Sequence, residues 1–187
     1  NKNSFIKIDN VNLNPTRDGV LKALNLMGGN IHVKNKRIIN GEIIGNLEIH
    51  TSQLNGCELN SDFSRSMIDE YPILSIAASF ASGPSKFYGL NELKYKESNR
   101  LLLINRNLLK CGIKSKINNN NLTITPSNLK LNKIININSE KDHRIAMSFA
   151  IMGMLTTKGI IIDDAEYINT SFPDFIKKIN KLGANII

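Results

Sequence analysis

Three segments of this chain end alike, and that repetition constrains the fold more than any other feature of the sequence. Residues 21–29 read LKALNLMGG, residues 107–112 read NLLKCG and residues 175–183 read FIKKINKLG. Apolar residues recur at helical spacing before each end: Val20, Leu24 and Met27; Leu101, Ile104, Leu108 and Cys111; Phe172, Phe175, Ile179 and Leu182. Each segment therefore predicts a helix that buries one face. Gly28, Gly112 and Gly183 stand where a left-handed residue closes a helix C-terminus.

A short β-prone stretch follows every one of these glycines, at 30–33, 113–117 and 184–187, the last barely begun. Between the first two copies the pattern predicts a strand at 47–50, an extended turn at 54–59, a helix at 72–81 and a strand at 86–88. Between the second and third it predicts strands at 121–125 and 133–137, a helix at 143–155 and a strand at 159–162. The helices PILSIAASFA and RIAMSFAIMGML are apolar nearly all round, so both should lie inside the protein. The glycines are unequally spaced, which excludes a strict solenoid. The expectation is a single α/β domain over residues 1–187, built of related subdomains at about 1–90 and 91–163 with an incomplete third at 164–187.

A chain of 187 residues suffices for such a core, and no apolar run is long enough to span a bilayer. It lacks an initial Met and a signal-peptide core, which reads as a piece of a cytoplasmic protein. Cys57 and Cys111 sit in apolar company without metal-binding spacing, so buried reduced thiols and no metal are expected. The net charge of +8 asks for acidic partners. Nucleic acid fits poorly, because the lysines are scattered singly among asparagines and no aromatic platform accompanies them.

Polar clusters precede the predicted helix starts: Asn14-Pro15-Thr16-Arg17, Ile68-Asp69-Glu70-Tyr71, Lys96-Glu97-Ser98-Asn99-Arg100, Asp142-His143-Arg144 and Thr170-Ser171-Phe172-Pro173. Ser98, Asp142 and Ser171 suit N-caps, with Ser171 and Asp174 spaced as a capping box. Arg100 and Arg144 are anomalous, since a cation in the first turn opposes the helix dipole. A bound phosphate or carboxylate would compensate them, as would ion pairs with Glu97 or Asp142. Lys96, Glu97 and Arg100 together suit a site that binds an anion and moves protons. Asp69, three residues before Pro72, is either a catalytic acid/base or a cap, and His143 is best read as an anion contact.

As an ordered set, NPTRDG, SMIDEYPIL, LKYKESNRL, DHRIAMSFA and TSFPDF resemble the 5-enolpyruvylshikimate-3-phosphate synthases over essentially the whole chain. The resemblance implies a two-domain enzyme whose domains each hold three βαβαββ-type subdomains. This chain is similar to its C-terminal half, with the strands that finish the third subdomain supplied by the extreme N-terminus. It also implies transfer of the enolpyruvyl group of phosphoenolpyruvate to the 5-hydroxyl of shikimate 3-phosphate by a monomeric enzyme without cofactor, metal, nucleic-acid or membrane partner. Position by position, Asp69 would be the acid/base at the 5-hydroxyl and Glu97 would handle protons at the methylene. Lys96 would touch shikimate 3-phosphate, and Arg100, His143 and Arg144 would hold phosphoenolpyruvate. The present chain alone would turn nothing over. Two positions depart from the family string: Asn99 stands where Asp is usual, and Thr170 where many members have a Lys that contacts phosphoenolpyruvate, although one subgroup carries Thr there with an IDEYP string. The alternatives are the enolpyruvyl transferase acting on UDP-N-acetylglucosamine and a non-catalytic anion- or RNA-binding α/β repeat module.

Overall fold

The computed structural model describes residues 3–127 and 133–187. The three glycine junctions are built the same way. Gly28, Gly112 and Gly183 have φ of 85°, 76° and 97°. In each, the next residue's N–H reaches back five residues: Gly29 to the Leu24 carbonyl at 2.8 Å, Ile113 to Leu108 at 2.9 Å and Ala184 to Ile179 at 3.3 Å. This closure ties off the last free carbonyls and turns the chain out of the helix. It ends α1 (Gly19–Leu26), α4 (Arg100–Lys110) and α6 (Phe175–Lys181).

The first junction feeds β2 (Asn30–Ile39), which pairs with β3 (Glu42–His50); β1 (Phe5–Asn12) lies on the other side of β3, all antiparallel. Asn40 and Gly41, at φ 51° and 82°, make the two-residue turn between β2 and β3, where Ile39 pairs with Glu42. Asn10 and Asn35, also at positive φ, sit at the two register shifts in this sheet. The second sheet has the order β4–β5–β7–β6, from β4 (Glu58–Leu59), β5 (Ser85–Phe87), β6 (Lys114–Asn118) and β7 (Asn121–Thr125). Two parallel strands, β8 (Ile135–Ile137) and β9 (Ile160–Ile162), make the third.

Helix α3 (Tyr71–Ser79), which follows the short α2 (Asp62–Met67), packs against α5 (His143–Gly153), and both lie in the core as their composition demands. Tyr71, Leu74, Ile145, Phe149 and Met152 join Leu59, Phe87, Leu122 and Ile124 of the second sheet and Leu101, Ile104 and Leu108 of α4. Buried Ser75, Ser79 and Ser148 return their hydroxyls to the carbonyls of Tyr71, Ser75 and Arg144 at 2.7, 2.8 and 2.7 Å, so the interior carries their polarity without loss.

Several expectations need correction. Residues 184–187 form no strand: a strand needs a hydrogen-bonded neighbour, and here Asn180 instead bonds both the N–H and the carbonyl of Ile186. Asn99, not Ser98, caps α4, accepting from the Leu102 N–H at 3.1 Å. The residue before α6 is Asp174, without a side-chain cap, so Ser171 starts no capping box. Helix α2 and strand β1 had no counterpart among the predicted elements.

No helix among the described residues is long and apolar enough to cross a membrane, and no group of three or more His, Cys, Asp or Glu residues there could hold a metal ion. Burial raises the Cys57 thiol against a weaker opposing hydrogen bond from Ser85, and raises that of Cys111 to about 11.

Candidate functional site

The starts of α3, α4 and α5 converge on one side chain. Arg100, the first residue of α4, is fully buried, yet it carries a charge that cannot be removed. Its burial follows from position: Arg100, Ile104 and Leu108 fall on one helical stripe, so the arginine stands at the head of the row that packs into the core. A buried guanidinium must be paired. Its Nε donates to Asp142 Oδ2 at 2.8 Å, Nη1 to Asp69 Oδ1 at 2.9 Å and Nη2 to Glu97 Oε2 at 2.5 Å. The charge expected to await a bound anion is thus met by three carboxylates of the protein itself.

Each carboxylate arrives by its own local route. Asp69 lies in the single 3-10 turn Ile68–Glu70 between α2 and α3. Glu97 sits in the connection leading into α4, three residues before Arg100. Asp142, completely buried, is the N-cap of α5 and accepts from the N–H groups of Arg144 at 2.9 Å and Ile145 at 3.3 Å. Its burial pushes its pKa up, but the Arg100 hydrogen bond and charge, with Ser98 and the Ile145 N–H, outweigh that and hold it below the usual range.

Two more cations face Asp69. Lys96 Nζ lies 3.6 Å from Oδ1 and Arg144 Nη2 3.7 Å from Oδ2, while Arg144 Nη1 donates to the Asp69 carbonyl at 3.3 Å. Burial raises the Asp69 pKa, and Arg144, Lys96 and Arg100 together reverse the sign and lower it. Glu70 Oε1 stands 3.9 Å from Arg144, and there burial wins: its carboxyl is pushed up in spite of that arginine. Arg144, Lys96 and Glu97 are partly exposed and form the mouth, with Arg100 and Asp142 at the floor.

The structure therefore brings together Asp69, Lys96, Glu97, Arg100 and Arg144. His143 is the half-buried first residue of α5, beside Arg144 in sequence but without an ion pair in the cluster. Thr170 ends the 3-10 turn Ala165–Thr170, which packs against α5, and donates its hydroxyl to the Tyr167 carbonyl at 2.7 Å rather than to these residues. Sequence reasoning gave no role to Glu70, saw Ser98 only as a cap, and saw Asp142 as a cap or as an ion-pair partner of a first-turn arginine. The overlooked signal was the α4 stripe, which continues back one turn to Arg100 and demands a buried counter-charge. Four carboxylates and three cations leave the cluster without surplus positive charge. An anionic ligand must displace an acid here or bring further cations with it.

Residues 2–179 match a family model described as EPSP synthase (3-phosphoshikimate 1-carboxyvinyltransferase). The 3-phosphoshikimate 1-carboxyvinyltransferase of Paramagnetospirillum magneticum is 39% identical over 183 residues, 98% of this chain and 41% of that protein. That of Petrotoga mobilis is 40% identical over 181 residues, 97% of this chain and 42% of that one. A solved EPSP synthase from Acinetobacter baumannii superposes with a TM-score of 0.90 at 34% identity, over 96% of this chain and 42% of that one. The enolpyruvyl transferase NikO from Streptomyces tendae shares the fold, with a TM-score of 0.71 at 15% identity over 97% of this chain and 39% of that one. The chain spans about 41% of the length of the curated relatives it matches.

Proposed function

Since this chain belongs to the EPSP synthase family, we propose that the polypeptide it forms part of transfers the enolpyruvyl group of phosphoenolpyruvate to the 5-hydroxyl of shikimate 3-phosphate, with release of phosphate. The observation that carries the reading is the convergence of Asp69, Lys96, Glu97, Arg100 and Arg144 at three helix starts. Both substrates are anions, and the reaction also moves protons. The 5-hydroxyl gives its proton to a base as its oxygen adds to C2 and C3 gains a proton, and loss of phosphate from C2 and of a proton from C3 then restores the double bond. The residues needed are cations beside carboxylates.

In this reading Asp69 meets the 5-hydroxyl and Glu97 exchanges protons at C3. Lys96 takes the 3-phosphate of shikimate 3-phosphate, and Arg144, with His143 beside it, takes phosphoenolpyruvate. Arg100 reaches phosphoenolpyruvate by giving up Glu97 or Asp69, and Thr170, at the end of the 3-10 turn Ala165–Thr170, adds a contact to that subsite. Without ligands Asp69 is held ionised by its cations, which makes it a weak base. Anions arriving on Lys96 and Arg144 draw those cations away, and the Asp69 pKa rises toward values useful for accepting a proton. Substrate binding thereby prepares the base.

The remaining cations come from the rest of the polypeptide, because this cluster is already neutralised. The same reading makes the enzyme a cytoplasmic monomer of aromatic amino-acid biosynthesis, without cofactor, nucleic-acid or membrane partner. Phosphate release from shikimate 3-phosphate plus phosphoenolpyruvate by the full-length polypeptide tests it. Release is expected from the full-length protein, none from residues 1–187 alone, and recovery when those residues are mixed with the separately expressed remainder. Turnover with UDP-N-acetylglucosamine in place of shikimate 3-phosphate, or no turnover with either, would overturn the assignment.

A further inference from the structure

We propose that Asp142 is the positioning residue of this site: it grips Arg100 by its Nε edge and the first turn of α5 by its other oxygen, so that only the Nη1 and Nη2 edge of Arg100 can exchange a carboxylate for a ligand. The proposal rests on the functional reading above for its kinetic consequences and on geometry alone for the grip.

The two oxygens of Asp142 do separate things. Oδ1 caps α5 through the Arg144 and Ile145 N–H groups, a task that Asn or Ser performs as well without a charge. Oδ2 is spent elsewhere, accepting from Arg100 Nε and from the Ser98 hydroxyl, each at 2.8 Å. A fully buried carboxylate is costly unless every lone pair is used. Capping does not require that cost, whereas fixing a buried guanidinium does. The group is planar, so a charged partner at Nε sets the plane in which Nη1 and Nη2 lie. Those two nitrogens then face Asp69 and Glu97, which are the partly exposed members of the set.

The chain spends backbone conformation to bring Asp142 there. Glu140 and Lys141, consecutive non-glycine residues, have φ of 49° and 63°, a region that L side chains rarely adopt. The loop is held from behind: buried Ser139 donates its N–H to Asp163 Oδ1 at 2.6 Å and its hydroxyl to the Asp163 carbonyl at 2.9 Å, and the Asp142 N–H returns to the Ser139 carbonyl at 3.0 Å. Sparsely populated backbone persists where the surroundings over-determine it. Because Arg144 is the second residue of α5, the same carboxylate also sets the stem of the second arginine.

The test uses the full-length enzyme with Asp142→Asn and Ser98→Ala. Asp142→Asn keeps an oxygen for the cap and removes the charge at Nε. Arg100 then turns its whole charge on Asp69 and Glu97, and a ligand exchanges with them less easily. The KM for phosphoenolpyruvate is expected to rise by about 10-fold or more, as for a lost charge-assisted hydrogen bond. The acid limb of the kcat/KM profile is expected to move to lower pH. Ser98→Ala, which leaves the cap and the charge in place, should shift both in the same direction by about 2–3-fold, and it decides the matter if Asp142→Asn does not fold. A merely structural role would lower the yield of folded enzyme and move neither KM nor the pH profile, and that result would overturn the proposal. Independently of turnover, the Arg100 Nε–H resonance should be protected from exchange in the wild type and lose protection in Asp142→Asn. An unprotected wild-type resonance would overturn the grip. Absence of phosphate release by the wild type would instead refute the functional reading and leave the resonance to decide the grip.

Discussion

Helices α4 and α5 begin with the same electrostatic fault and resolve it differently. Both carry an arginine in the first turn, against the helix dipole. Arg100 has a side chain 1% exposed and is held by three carboxylates at hydrogen-bond distance, whereas Arg144 is 34% exposed and meets its carboxylates at 3.7 and 3.9 Å. One is built into the protein, and the other is parked at its mouth. The fold can spend its own acids on the first because removing them would strand a buried charge. It leaves the second loosely paired, so that little is lost when a ligand takes over.

The contrast makes unequal predictions. Arg100→Ala should break it most severely: Asp142 would remain buried with its main counter-charge gone, and urea unfolding should report a loss of about 3–5 kcal/mol. Arg144→Ala should cost less than about 1 kcal/mol of stability, as exposed pairs do. In the full-length enzyme it should nonetheless remove about 2–4 kcal/mol of transition-state stabilisation, read as kcat/KM for phosphoenolpyruvate. Equal losses of stability in the two variants would erase the distinction.

The pH dependence separates the acids that pair with Arg100 from Glu70, whose ion pair is with Arg144. Asp69 and Asp142 have folded pKa values below their ordinary ones, so their contribution is complete above about pH 4 and is lost as pH falls through the depressed values. Glu70 has the opposite sign: its raised value means a contribution present below about pH 4 and lost as pH rises through that value. Urea midpoints should therefore fall in acid for the wild type, and Glu70→Gln should be slightly more stable than wild type at neutral pH. The smallest effect belongs to Asn99→Asp, which puts a negative charge at the α4 cap beside Arg100. It should add about 0.3–1 kcal/mol, most clearly at low ionic strength.

The helices were legible in the sequence because their periodicity and their stops agree. LNLMGG, LLKCG and INKLG each specify the amphipathic end and the left-handed residue together, and all three close alike. The buried pair α3 and α5 was equally plain, since a helix without a polar face has nowhere else to go. The strand at 184–187 was wrongly expected, because β-propensity describes a residue's fit to a sheet and cannot supply the neighbouring strand. The site was half legible. Residue types at helix starts identified Asp69, Lys96, Glu97, Arg100 and Arg144. The pairing of Arg100 with Asp69 and Asp142 links positions 31 and 42 residues away, and local pattern carries no such information. Assigning Arg100 to a ligand required treating it as a surface cation, and its place on the Ile104 and Leu108 stripe argued otherwise.

The hairpin at Asn40–Gly41 also sets a chemical lifetime. Asparagine is thermolabile, and when glycine follows it, the unhindered next backbone nitrogen can attack the side-chain amide, expelling ammonia through a cyclic imide that reopens to aspartate or isoaspartate. This asparagine is exposed at the tip of a two-residue turn. The chain's other Asn–Gly pair, Asn55–Gly56, is restrained, since Asn55 Oδ1 accepts from the Ser82 hydroxyl at 2.8 Å and Gly56 packs against the backbone of Gly83 and Pro84. On storage at mildly alkaline pH, a gain of one mass unit and one negative charge should therefore accumulate first in the peptide containing residues 40 and 41. A sample of this protein therefore ages from the tip of the β2–β3 hairpin, far in sequence from Arg100 and Arg144, and Asn40→Gly would stop that ageing while keeping a residue that accepts the left-handed turn.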